Sequence, residues 1–125
     1  MVANQPFFDL SQESFNQSNE LISFIKSKTN GSDTVFIMGD FNAGPRGEDI
    51  KPAFPDSYWN IRNANYSDTQ WLYDNTTGIP LQCTYCEENP LVSPLTQDKI
   101  FDHIFISNSS YICVQNVEIF AKDKM

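Results

Sequence analysis

Residues 34 to 38 read TVFIM, an apolar run that stops abruptly on Gly39-Asp40-Phe41-Asn42 and the Gly44-Pro45 break. A short continuous run of large and β-branched side chains suits a strand buried on both faces, so the spacing predicts a central strand with layers on either side. Such a strand cannot stand alone. It needs covering elements before and after it, and the flanking sequence offers them.

Upstream, Asp9 and Gln12 have the spacing of a helix N-cap pair, and Phe15, Leu21, Ile22 and Ile25 fall near one face of a 3.6-residue period. Asn30-Gly31 supplies a stop. A helix is expected from about 11 to 28, with its apolar stripe on the sheet. Downstream, residues 42 to 97 are rich in Pro, Asn, Asp and Gly, with Phe54, Tyr58, Trp59, Trp71 and Tyr73 interspersed. That predicts a long loop with short elements, a common carrier of binding surfaces. KIFDHIFIS and YICVQNVEIF then read as two strands joined through Asn108-Ser109-Ser110 in a hairpin. The expected class is α/β, or α+β by some schemes, in a single domain spanning 1–125.

Composition narrows the function. The 125 residues, 40% hydrophobic and 14% aromatic, fit one globular domain with a core. Sixteen acidic against eight basic residues give a net charge of -8, which repels polyphosphates and excludes a protein that coats nucleic acid non-specifically. A bound cation could still bring a phosphate close, because the metal supplies the local positive charge. No stretch is long and apolar enough to span a bilayer, so the chain is expected to be soluble without a transmembrane segment. Five N-x-S/T sequons, at Asn16, Asn30, Asn65, Asn75 and Asn108, point to secretion or arise by chance in an Asn- and Ser-rich chain.

Of three cysteines, Cys83 and Cys86 form a C-x-x-C in CTYC, and no second such pair completes a zinc site. EENP follows, a turn-like sequence where a redox motif would open a helix. Cys113, inside YICV, is expected to be a buried small hydrophobe.

Polar side chains at the carboxyl end of a sheet strand project into the crevice where α/β proteins hold ligands. Asp40 can offer a carboxylate to a metal or to a water being activated. Asn42, two residues on, is expected on the same strand face with its amide free for a phosphoryl oxygen. The pair suits phosphate-ester hydrolysis. The alternative is an Asx-type turn closing the strand, aided by Gly39 and Gly44. Arg46 and Lys51 could meet phosphates or be ordinary surface bases. The aromatics of the long loop could stack on bases, enter a lipid interface, or simply pack.

GDFN after an apolar strand, a preceding helix of the type NELISFI, and KIFDHIFIS at a suitable distance resemble the endonuclease/exonuclease/phosphatase superfamily, deoxyribonuclease I-like. CTYCEENPL is similar to a Thr-containing segment before the second motif in some members. The resemblance implies a partial two-sheet sandwich, with a mixed sheet, a flanking helix and long loops. It implies Mg2+ or Mn2+ as cofactor and a phosphate-ester substrate: nucleic acid, lipid headgroup or small phosphoester. Asp40 would position or activate the attacking water, with metal contact; Asn42 would bind the scissile phosphate; Asp102 would orient a catalytic imidazole.

The departures are specific. His103 stands where the family motif has Tyr, and strand alternation sends Asp102 and His103 to opposite faces, so His103 is expected to pack or hydrogen-bond behind the site. The family's Glu ligand, its additional catalytic His and its terminal Ser-Asp-His have no counterpart here. A metal-dependent phosphoester hydrolase fragment, incomplete alone, is therefore expected, with a degenerate non-catalytic binding module as the alternative. A missing second sheet would leave an apolar face of the first exposed.

Overall fold

The computed structural model describes residues 9–89, 97–108 and 112–120. Helix α1 covers Leu10–Lys28, strand β1 Phe36–Asp40, helix α2 Pro55–Asn63, strand β2 Tyr66–Asp68, helix α3 Thr69–Thr77 and strand β3 Asp102–Ser107. Helices and a small sheet thus share one chain, as the sequence class requires.

Each helix starts where local chemistry allows. Asp9 caps α1, its carboxylate accepting the Ser11 and Gln12 amides. Pro55 opens α2, where a missing N–H is harmless. Asp68 caps α3 by accepting the Gln70 amide, and Gly78, at φ 75°, closes it in the left-handed conformation.

The strands lie in the order β1-β3-β2, and both pairings are antiparallel. This corrects two expectations. Among the described residues the sheet is antiparallel rather than mixed, and β1 lies at its edge rather than at its centre. Of its apolar side chains only Ile37 is buried, while Phe36 and Met38 are 51% and 67% exposed. An apolar run alone does not distinguish a doubly covered strand from one bare on one face.

The covered face of the sheet carries Ile37 and Phe105, which pack with Ile22 and Ile25 of α1, Tyr58 and Ile61 of α2, and Tyr66. α1 meets the sheet through this cluster and packs chiefly along α2. The opposite face carries Phe36, Met38 and Ile104, all exposed. Ile106, paired with Phe36 on this face, is buried.

The segment 42–97 contains two nine-residue helices and a short strand among its loops. The expected hairpin is not seen: β3 forms, but residues 112–120 adopt no regular element, and the proposed turn falls partly outside the described residues. Cys113 is exposed, correcting its assignment to the core. The missing ladder explains it, because with no strand there is no buried face for YICV to supply.

Candidate functional site

Asp40 is the last residue of β1 and Asp102 the first of β3, and the register makes them direct partners across the ladder. Side chains at such positions have Cβ atoms about 5 Å apart, and like charges there repel. Among the described residues neither carboxylate is ion-paired. Both are exposed on the open face of the sheet, at the edge of a cleft of about 360 Å³ whose wall includes Met38, Thr84, Ile104 and Glu118. Two facing carboxylates without a basic partner leave a demand for positive charge.

Asn42 is placed differently from its expectation. The Asn42 amide donates to Asp40 Oδ1 at 2.9 Å, and Asn42 takes φ 50°, in the left-handed region. β1 has already ended, so strand parity does not set its direction, and it is not part of the cleft wall. The Asx-type turn is therefore real. It ties down one oxygen of Asp40, and among the described residues Oδ2 has no such partner.

His103 is buried on the other face, and Asp102 meets no imidazole, since His103 is the single histidine of the chain. Its Nε2 lies 2.7 Å from the Ala43 carbonyl and its Nδ1 3.2 Å from Asp68 Oδ2. Both neighbours are acceptors, so the ring makes both bonds only as imidazolium. Asp68 also accepts from Tyr58 Oη at 2.7 Å, and Arg62 donates to that same hydroxyl at 3.0 Å. Burial pushes the Asp68 carboxyl up, but the His103, Tyr58 and Gln70 donors outweigh it and hold it below its ordinary value. Burial, then the Asp68 charge, pushes the Tyr58 phenol up. This network locks the sheet to α2 from beneath the cleft, as expected of a histidine behind the site.

Sequence reasoning missed Thr84 and Asp68. Cys83 and Cys86 are disulfide-bonded, and Thr84 inside that small loop accepts the backbone amides of Phe101 and Asp102 on Oγ1, at 2.9 and 3.1 Å. The Tyr85–Lys99 bridge holds the loop to the start of β3. The closeness of CTYC to KIFD in the sequence was the available signal. Asp68 gave none, because its role depends on β2 pairing with β3.

Of the bases after GDFN, Arg46 and Lys51 are exposed and border a separate polar cleft with Asp49, Glu87 and Asp98. Tyr58 is a core residue. Trp59 and Trp71 flank the Arg62 guanidinium, whose carbon lies 4.9 and 4.4 Å from their ring centroids.

Among the described residues no group of three or more metal-ligating side chains forms, and no helix is long and apolar enough to cross a membrane. No family model, curated protein or solved structure matches this chain.

Proposed function

We propose that this chain contributes one half of a divalent-metal-dependent phosphoester hydrolase site, with Asp40 and Asp102 as its acidic centre. The observation that carries the reading is their direct pairing across β1 and β3. Two unpaired carboxylates suit a hard cation such as Mg2+ or Mn2+, which accepts one or two carboxylates and keeps the rest of its shell for water and phosphate oxygens. When bound, the cation supplies the positive charge that an acidic surface otherwise denies a phosphate.

The roles of the residues follow from their fixed atoms. Asp40, held through Oδ1 by the Asn42 amide, presents Oδ2 as the oxygen that holds a water or takes its proton. Asn42, exposed just after Asp40, has a carboxamide N–H of the kind that binds a phosphoryl oxygen. Asp102, with its backbone anchored by Thr84, contributes the second carboxylate and orients any imidazole supplied from outside these 125 residues. Substrate classes that fit are a nucleic acid, a lipid headgroup or a small phosphoester. A second reading, a non-catalytic binding module, draws on His103: the residue borders the cleft, but both its ring nitrogens are engaged, by Asp68 and by the Ala43 carbonyl.

The test is Mn2+ titration of 15N-labelled protein, with assay of a generic phosphodiester alongside. Paramagnetic broadening is expected to centre on residues 39–42 and 101–103 and to vanish in Asp40→Asn and Asp102→Asn. Broadening elsewhere, or none at millimolar Mn2+, removes the metal-dependent reading. Turnover by the wild-type chain that Asp40→Ala abolishes would show that no further half is needed.

A further inference from the structure

Three of the five sequons come together at one pole of the molecule. Asn30 sits in the turn after α1, Asn65 in the turn between α2 and β2, and Asn108 in the turn after β3. All three are exposed and border one depression of about 490 Å³. The Asn108 amide donates to the Asn65 carbonyl at 2.9 Å, which brings two of them side by side.

This pole lies at the opposite end of the ladder from the acidic cleft. Phe36 pairs with Ile106 at one end of β1 and Asp40 with Asp102 at the other. With a rise of about 3.3 Å per residue, the strands separate the two ends by roughly 13 Å.

Local geometry also separates these sequons from the remaining two. At Asn30 the Ser32 hydroxyl and the Ser32 amide both donate to Asn30 Oδ1, at 2.6 and 3.0 Å. The +2 hydroxyl is thus already folded back on the carboxamide, leaving Nδ2 outward. Asn108 uses Oδ1 to accept from the Ser67 hydroxyl, so Nδ2 again stays available. Asn65, at φ 74°, is in a left-handed turn. Asn16 and Asn75, by contrast, are inside α1 and α3. Their +2 hydroxyls bond carbonyls of their own helices, Ser18 that of Phe15 and Thr77 that of Tyr73, whereas Ser67, the +2 residue of Asn65, donates across to the neighbouring Asn108. The Cys83–Cys86 disulfide is an independent mark of an oxidising compartment, where N-glycosylation also takes place.

We propose that Asn30, Asn65 and Asn108 are N-glycan acceptors that build a sugar-covered pole opposite a bare cleft. The donor is a polyprenyl-diphosphate-linked oligosaccharide. Asn Nδ2 forms a bond to C1 of the first sugar, the C1–O bond to the diphosphate breaks, the lipid diphosphate leaves, and Nδ2 gives up one proton. The attached chains extend from turns, where no strand pairing or core packing is displaced.

The wild-type chain, expressed behind a cleavable leader in a eukaryotic secretory cell, is treated with a peptide-releasing glycosidase in 18O water and mapped by mass spectrometry. Conversion of Asn to 18O-Asp is expected at two or more of Asn30, Asn65 and Asn108. The bare polypeptide mass, conversion at one or none of the three, or conversion confined to Asn16 and Asn75 overturns the proposal. None of these outcomes depends on Asp40 or Asp102.

Discussion

At the scale of single residues, Asp68 carries the heaviest demand. Its folded carboxyl lies below the ordinary value of 3.8, so the stability it brings is complete above about pH 4 and drains away as pH falls through the lowered folded value. His103 and Tyr58 face it directly, with Arg62 behind Tyr58. Asp68→Ala removes the buried carboxylate that His103 and Tyr58 share and is expected to cost about 3–5 kcal/mol by urea unfolding. Asp68→Asn should flatten the fall in melting temperature below about pH 4, where the wild type declines; a parallel decline in both proteins would contradict the linkage. Gly44 is constrained by space. A Cβ there would fall on the Ile100 carbonyl, so Gly44→Ala should destabilise by at least about 1–3 kcal/mol, measured the same way. Neither effect was legible in the sequence, since both arise from long-range neighbours. His103 was partly legible: alternation alone placed it opposite Asp102.

Among the elements, α1 was the clearest in the sequence, because cap, stripe and stop all agree within one segment. Asp9→Ala tests the cap and should cost about 1 kcal/mol by thermal unfolding. β1 was legible as a strand but not in its position, because edge or centre is decided by partners some sixty residues away. The second strand of the expected hairpin shows the converse failure, where strand-like composition has no ladder to join among the described residues. The disulfide loop also acts at this scale. Thr84 fixes the entry to β3, so reduction of Cys83–Cys86, or Thr84→Val, should speed hydrogen exchange at the Phe101 and Asp102 amides well before that at Phe105. Equal acceleration at all three would mean that the loop governs global stability instead.

On the scale of the whole molecule, the acidic pair at positions 40 and 102 was legible from motif order, while the bareness of the sheet beside it was only an inference from a missing layer. Phe36, Met38 and Ile104 make that bare face apolar, and an apolar sheet surface seeks cover. The double substitution Met38→Glu, Ile104→Lys places opposite charges across the ladder. It is expected to abolish binding of an apolar dye and any concentration-dependent sedimentation, while changing stability by less than about 1 kcal/mol. Unaltered dye binding would place the sticky surface elsewhere. The same ladder sets an order of events during synthesis. α1 and α2 can emerge from the ribosome and collapse together, but β1 has no hydrogen-bonding mate until residue 107 has been translated. A nascent chain therefore waits through most of its own length with one ribbon unzipped, and any trigger factor or holdase that shields it has that interval in which to act.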